Sequence, residues 1–181
     1  MSRLTWFQKI YWQHFSKPVE ERALMLHLLQ HPVASVLEIG IGSGERLRRV
    51  LPVLKAPAGV LQIRYVGVDL FEAAEEHGVR STDYLPLKSV HRLVSEHGMK
   101  ASLIPGTPET ALPRIAQTLS PSDLVIIDSG WRTPELAECF AQWLPRVTTP
   151  GGVLFARTGR SEELRQVKVE RSGVSSTSKA A

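Results

Sequence analysis

The sequence predicts an α/β fold in which a doubly wound, mainly parallel sheet has helices on both faces. Two observations predict it: short apolar runs recur along the chain, and patterns typical of amphipathic helices lie between them. Strand and helix therefore alternate, with connections short enough for right-handed crossovers between parallel strands. A length of 181 residues, of which 43% are hydrophobic, is sufficient for one core of this kind.

Two helices are predicted before the first strand. The first covers residues 6–15, where large side chains recur at three- and four-residue steps. Its predicted face comprises Trp6, Phe7, Ile10, Tyr11, His14 and Phe15. This face is a candidate for packing on the core, for a lid over a ligand pocket or for a homodimer contact. The second helix is expected to follow Pro18 and to end near Gln30, before Pro32.

Five short apolar runs are the predicted strands, and each is consistent with burial on both faces. They cover residues 35–39, 63–68, 102–104, 124–127 and 152–156. A further edge strand is expected at residues 167–171, and the short remainder of the chain predicts a shortened C-terminal edge of the sheet.

Apolar stripes between these runs predict four helices. The stripes are Leu47, Val50, Leu51 and Leu54; Leu87, Val90, Leu93 and Val94; Leu112, Ile115, Ala116 and Leu119; and Leu136, Phe140, Trp143 and Leu144. Pro52 and Pro113 argue against long unbroken helices in the first and third of these segments. Thr133 before Pro134 predicts an N-cap and a first helical residue for the fourth.

Composition limits the classes of protein to consider. Basic and acidic residues are interspersed and nearly balanced, with a net charge of +4, so there is no strong nucleic-acid signal. The sequence has no signal peptide and no apolar run long enough for a membrane span, and a cytoplasmic location is expected. We divide the chain into an N-terminal helical extension (1–32), the α/β domain (33–170) and a disordered tail (171–181).

Cysteine and histidine residues do not predict a metal site. Cys139 is the single cysteine, so it forms no internal disulfide, and its position beside an apolar stripe indicates packing. His27 and His31 have a spacing compatible with metal binding, but no third ligand is suggested.

The most informative segment is VLEIGIGSGERL, in which a predicted strand leads through three glycines into a helix. Gly40, Gly42 and Gly44 allow a sharp turn and let a ligand lie against bare main chain. Glu38 precedes the first glycine by two residues, and Asp69 ends the next predicted strand. These two acids make the turn a specific candidate for ligand binding.

Other nucleotide-binding turns match less well. A P-loop requires a lysine and a hydroxyl residue after its last glycine, where this chain has Glu45 and Arg46. A dinucleotide fingerprint requires its third glycine one residue later, so a nicotinamide-dependent oxidoreductase remains a lesser alternative. Glu38 beside the turn would repel a pyrophosphate but suits a ligand with an ammonium group.

On these residues the chain resembles the class I, Rossmann-like S-adenosylmethionine-dependent methyltransferases, over roughly residues 33–157. The segments SLIPGTPETAL, DLVIIDSG and LPRVTTPGGVLFA are similar to the third strand with its adenine-side turn, the fourth strand and the fifth strand of that superfamily. The resemblance implies S-adenosylmethionine as cofactor and Asp69 as the acid that holds the ribose hydroxyls. The implied cofactor-binding residues are Glu38, Gly40, Gly42, Gly44, Asp69, Leu70, Gly106, Thr107 and Asp128.

The resemblance implies methyl transfer, but no motif identifies the acceptor, for which a small molecule is favoured. Asp128, Ser129, Gly130 and Trp131 lack the second carboxylate or the histidine that related O-methyltransferases carry after this strand. Neither a metal nor a catalytic base is therefore expected at that point. The main alternative is a non-catalytic domain of the same fold that binds the cofactor or a partner.

Overall fold

The structure, a computed structural model, describes residues 19–128, 134–157 and 163–168. Its helices are α1 (Arg22–Gln30), α2 (Glu45–Val50), α3 (Leu87–Glu96), α4 (Pro108–Thr118) and α5 (Pro134–Val147). Its strands are β1 (Ser35–Ile39), β2 (Arg64–Asp69), β3 (Lys100–Pro105), β4 (Ser122–Ile127), β5 (Thr148–Arg157) and β6 (Leu164–Val167). Short 3₁₀ turns cover Val19–Glu21, Leu51–Val53 and Phe71–Ala74.

The strands form one sheet in the order β3-β2-β1-β4-β5-β6. The pairs among β1 to β5 are parallel, and β6 joins β5 in the antiparallel direction. The strand order reverses between β1 and β4, so a crevice is expected outside their carboxyl ends, where open α/β sheets bind ligands. The predicted α/β fold is confirmed.

The sheet separates two apolar cores, as the alternation of side chains along a buried strand requires. On one face, α1, α2 and α3 pack on residues such as Val36, Tyr65 and Ile126. On the other, α4 and α5 pack on residues such as Leu37 and Val125. Glu38 follows Leu37 and therefore points toward the first face, a polar residue in a layer of apolar ones.

The proline predictions had different outcomes. The prediction for Pro52 is confirmed, because α2 ends at Val50 and continues only as the 3₁₀ turn Leu51–Val53. The prediction for Pro113 was wrong, because α4 runs through it without a break. Pro113 lies in the second turn of a helix that begins at Pro108, so its missing N–H removes one hydrogen bond near the helix start.

The edge strand was predicted three residues too late. It spans Leu164–Val167 instead of residues 167–171, because Leu164 is the residue that buries its side chain against the core. The aromatic N-terminal helix, Thr133, Trp131 and the tail fall outside the described residues. In the part of the chain that the structure describes, no helix combines the length and apolar character that a membrane span requires.

We expect acid to weaken the packing of α1 on the sheet. His27 stacks on His31 with 4.5 Å between ring centroids and lies 5.4 Å from the ring of Phe155. Burial, and then the charge of His31, lower the pKa of His27 below its usual 6.5. The His27 side chain therefore takes up a proton more readily in the unfolded chain than in the folded one. The free energy of unfolding is consequently expected to decrease as the pH falls through about 6.5.

Urea denaturation at neutral pH and at about pH 5.5 measures this effect. The loss of unfolding free energy on acidification should be smaller in His27→Gln than in the wild-type protein, because the glutamine does not titrate. Equal losses in the two proteins would contradict the assignment to His27.

Candidate functional site

The carboxyl ends of β1, β2, β3 and β4 meet at one edge of the sheet and bring the sequence-predicted residues together. Backbone N–H groups tie these ends with hydrogen bonds of 2.9 Å, from Gly40 to the Val68 carbonyl, from Gly106 to the Asp69 carbonyl and from Asp128 to the Ile39 carbonyl. The glycine turn, Asp69 with Leu70, Gly106 with Thr107, and Asp128 therefore line the same edge.

The glycine turn has the backbone conformation that its composition predicts. Gly40, Gly42 and Gly44 have φ angles of +81°, +59° and +75°, which are unfavourable for residues with a Cβ. A Cβ placed on Gly42 would have the carbonyl oxygen of Asp83, 3.7 Å away, as its nearest contact. The main chain is therefore open at Gly42, where the positive φ makes any larger residue strained, whereas a Cβ on Gly44 would meet Cδ2 of Leu85 at 3.0 Å.

Asp69 holds this turn in place. Its Oδ2 accepts hydrogen bonds from the backbone N–H groups of Ile41 and Gly42 at 2.6 and 2.8 Å, and its Oδ1 accepts one from Leu70 at 2.7 Å. A carboxylate has about four acceptor positions. One position, on Oδ1, therefore remains for a ligand hydroxyl.

Glu38 is fully buried and does not face the cleft. Its Oε1 accepts hydrogen bonds from Nη2 and Nε of Arg46 at 2.7 and 3.0 Å, and its Oε2 accepts one from the Tyr65 hydroxyl at 2.7 Å. Burial, and then the Glu38 carboxylate, raise the pKa of Tyr65 well above its usual value, so the phenol keeps its proton. An ammonium group of a ligand must therefore find a different acid.

Arg46 connects Glu38 with the end of β4. It is 3% exposed, its Nη2 also donates to the Gly40 carbonyl at 2.6 Å, and its Nη1 forms an ion pair with Oδ2 of Asp128. Burial alone would lower the pKa of Arg46, but the carboxylates of Glu38 and Asp128 raise it further than burial lowers it. The guanidinium therefore stays charged beneath the glycine turn.

Asp128 lies between two arginines. Its Oδ2 pairs with Arg46, and its Oδ1 pairs with Nε of Arg157 at the end of β5. Asp128 is 28% exposed and Arg157 24% exposed, whereas Glu38 and Arg46 are enclosed. From the core to the edge of the cleft, the charged row consists of Glu38, Arg46, Asp128 and Arg157. Its charges alternate in sign and sum to zero.

Sequence reasoning missed Arg46, Arg157 and Tyr65. A signal for Arg46 was present, because it lies four residues before the buried Val50 and directly before Leu47, on the inward face of a short helix. A charged residue at such a position requires a buried partner of opposite charge. In the structure that partner is Glu38, eight residues earlier in the sequence.

The remaining candidate groups have ordinary structural surroundings. Burial, and then Glu109, raise the pKa of Cys139, which does not favour a reactive thiolate. Within residues 19–128, 134–157 and 163–168, no cluster of three or more His, Cys, Asp or Glu residues could hold a metal ion. Gly106 and Thr107 form the turn into α4, where the Thr107 carbonyl accepts hydrogen bonds from the backbone N–H groups of Thr110 and Ala111.

Comparison with known proteins agrees with this geometry. A family model described as a methyltransferase domain matches residues 37–156, about two thirds of the chain. The match begins in β1 and ends in β5, so it includes every element that contributes to the site. No curated protein matches the chain.

The fold is similar to those of solved O-methyltransferases. One from Bacillus cereus, in complex with SAH, is 16% identical with a TM-score of 0.54, and the match covers 79% of this chain and 57% of that one. TomG from Streptomyces achromogenes, involved in tomaymycin synthesis and in complex with SAM, is 18% identical with a TM-score of 0.52, and the match covers 86% and 66%. The chain therefore spans less than two thirds of the length of either protein, and the likeness is one of fold.

Proposed function

Since the chain belongs to the methyltransferase-domain family, whose cofactor is S-adenosylmethionine, we propose that it transfers the methyl group of this cofactor to a small-molecule acceptor. One observation carries the proposal. The glycine turn, which is open at Gly42, is fixed by Asp69, and both lie at the sheet edge that the family match spans. The resemblance found in the sequence is confirmed at the level of the family.

The groups at this edge of the sheet suit the adenosine part of the cofactor. The Oδ1 atom of Asp69 has one acceptor position for a ribose hydroxyl, and the open face of Gly42 leaves room for a ligand against main chain. Leu70, Gly106 and Thr107 follow the adjacent strands and are proposed to flank the adenine. Asp69 already accepts three backbone hydrogen bonds, so we propose that it holds one ribose hydroxyl and not both.

When bound, the cofactor supplies an electrophilic sulfonium methyl group, so the protein mainly aligns the acceptor with it and excludes water. We assign no catalytic base. Both oxygens of Asp128 face guanidinium groups, those of Arg46 and Arg157, and this favours a role in charge pairing over proton transfer. A small molecule is the favoured acceptor, and TomG, a neighbour in fold, is involved in the synthesis of one.

Transfer is tested with S-adenosylmethionine that carries a labelled methyl group and a panel of small molecules, proteins and RNA. Label is expected on a small molecule with the wild-type protein and not with Asp69→Ala. The rival hypothesis, a non-catalytic domain that binds the cofactor or a partner, predicts S-adenosylhomocysteine binding with no transfer to any acceptor.

Methyl-transfer activity is expected to be unchanged when a chelator removes divalent metal ions. Asp128 is the acid at the end of β4, and the two arginines that pair with it would repel a cation. Assays of labelled transfer before and after treatment with a chelator measure this. Loss of activity that magnesium restores would contradict the prediction.

A further inference from the structure

On the face of the sheet that α2 and α3 cover, these two helices enclose a pocket of about 230 Å³. The residues that line it are Arg48, Leu85, Ser89, Arg92, Leu93 and Glu96. All six belong to the part of the chain that the structure describes, and none of them is among the candidate cofactor-binding residues. The pocket is therefore a site separate from the crevice at the carboxyl ends of the strands.

The sequence of α3 places its share of this pocket on one side of the helix. The α3 residues in the pocket recur at three- and four-residue steps, which bring side chains together on a helix surface. They are Ser89, Arg92, Leu93 and Glu96. Val90 and Val94, each one residue from a member of this set, are fully buried in the core. The pocket thus borders the buried stripe of α3, and Arg48 faces it from α2.

Arg48 has no acidic partner in the described part of the chain. Its Nη1 donates to the Ser43 carbonyl at 3.1 Å, and Glu45, three residues earlier, pairs with Arg49 instead. A guanidinium has five N–H donors, of which this contact uses one. Arg48 can therefore bind an anion and keep its contact with Ser43.

The acid beside Arg92 is a weak partner. The Nε atom of Arg92 lies 3.9 Å from Oε1 of Glu96, beyond hydrogen-bond distance, and both side chains are largely exposed. Such a pair contributes little to stability. A more highly charged anion can therefore replace Glu96 beside Arg92, since the glutamate side chain is free to turn toward water.

We propose that this pocket binds the phosphoryl group of a small phosphorylated ligand. Two guanidinium groups and the Ser89 hydroxyl, carried on two helices, suit a group with three terminal oxygens. A carboxylate has two oxygens in one plane, and a single arginine can bind both of them. Leu85 and Leu93 provide apolar walls for the carbon atoms next to the phosphoryl group. Because pockets for drug-sized ligands start at about 300 Å³, this one accommodates only a few atoms beyond the phosphate.

Calorimetric titration with n-propyl phosphate, inorganic phosphate and butanoate, at about 0.15 M ionic strength, tests the proposal. We expect n-propyl phosphate to bind with a Kd below about 1 mM and about tenfold more tightly than butanoate. Inorganic phosphate lacks the carbon atoms that contact Leu85 and Leu93, so it should bind about threefold more weakly. Tighter binding of inorganic phosphate, or of butanoate, would overturn the proposed ligand class.

Substitutions in the pocket should change the Kd of n-propyl phosphate in opposite directions. Arg48→Gln and Arg92→Gln should each raise it about tenfold, because each removes a charge-assisted hydrogen bond. Glu96→Gln should lower it about two- to fivefold, because the competing carboxylate is gone. Arg165→Gln is the matched control, since it also removes one exposed guanidinium, which pairs with Glu163 at 3.0 Å on the edge strand β6. This control should leave the Kd as in the wild type.

The remaining outcomes separate this pocket from its surroundings. Arg48 also contacts the glycine turn through Ser43, whereas Arg92 pairs with Glu96 on its own helix, so a loss in Arg92→Gln is not explained by damage to the turn. An unchanged Kd in both arginine variants, or an equal loss in Arg165→Gln, would show adventitious binding to surface charge and overturn the proposal.

S-adenosylhomocysteine at saturation should leave the Kd of n-propyl phosphate unchanged. Displacement of n-propyl phosphate by S-adenosylhomocysteine would assign the phosphoryl group to the crevice and overturn the proposal. Binding of n-propyl phosphate by a protein that does not bind S-adenosylhomocysteine would support this pocket and contradict the proposed function.

Discussion

Asp69→Ala is expected to weaken S-adenosylhomocysteine binding by about 2 to 4 kcal/mol, or roughly 30- to 1000-fold. Two losses add up in this variant. A charged acceptor for a ribose hydroxyl disappears, and the N–H groups of Ile41 and Gly42 lose the carboxylate that fixes the turn on which the ligand lies. Calorimetric titration of the folded variant measures the effect.

Asp69→Ala should also lower the stability of the fold, by more than the sequence alone indicates. A carboxylate at the end of a strand is expected from sequence to cost the fold little when removed. Asp69 instead satisfies three backbone N–H groups, so Asp69→Ala should lower the free energy of unfolding by about 1 to 3 kcal/mol.

Asp123 provides a matched control for the binding result. Its carboxylate also accepts hydrogen bonds from two backbone N–H groups, those of Ala34 and Ser35 at 2.9 and 3.1 Å, but at the amino end of β1. Asp123→Ala should therefore lower stability by a similar amount and leave ligand affinity unchanged. Equal affinities for Asp69→Ala and wild type would show that Asp69 does not hold the ligand.

The sequence was sufficient for the fold because each strand is a short apolar run with clear ends. Residues 35–39 were predicted as a strand and form β1 with the same bounds. Parallel strands share one carboxyl edge, so the glycine turn and Asp69 could be placed near each other without a structure. The range predicted for the edge strand β6 was wrong by three residues, because a short strand at a sheet edge contains few apolar residues by which to place it, and Leu164 is the one that is buried.

The charged row could not be predicted in the same way, because its contacts depend on distances through space. Glu38 and Arg46 are eight residues apart across a turn, and Arg157 lies at the end of a strand far along the chain. Sequence alone placed Glu38 beside a ligand ammonium group. In the structure Glu38 accepts hydrogen bonds from Arg46 and Tyr65 instead. The partly exposed carboxylate near the cleft is that of Asp128.

This burial makes Glu38 and Arg46 the pair whose separation should cost the fold most. Arg46→Met leaves the fully buried Glu38 carboxylate with the Tyr65 hydroxyl as its remaining partner. Removing one member of a buried ion pair typically costs about 3 to 5 kcal/mol, because the other charge stays desolvated. Exposed pairs contribute at most about 1 kcal/mol. Arg92→Met, which breaks an exposed pair with Glu96, is therefore a suitable control.

We expect urea denaturation to show a loss of about 3 to 5 kcal/mol in Arg46→Met and less than about 1 kcal/mol in Arg92→Met. Adding Glu38→Gln to Arg46→Met removes the stranded charge, so the double variant should be more stable than the sum of the two single losses predicts. That coupling is specific to the pair, since general damage to the glycine turn would make the losses additive. Similar stabilities for Arg46→Met and Arg92→Met would show that the guanidinium does not neutralise Glu38 in the folded protein.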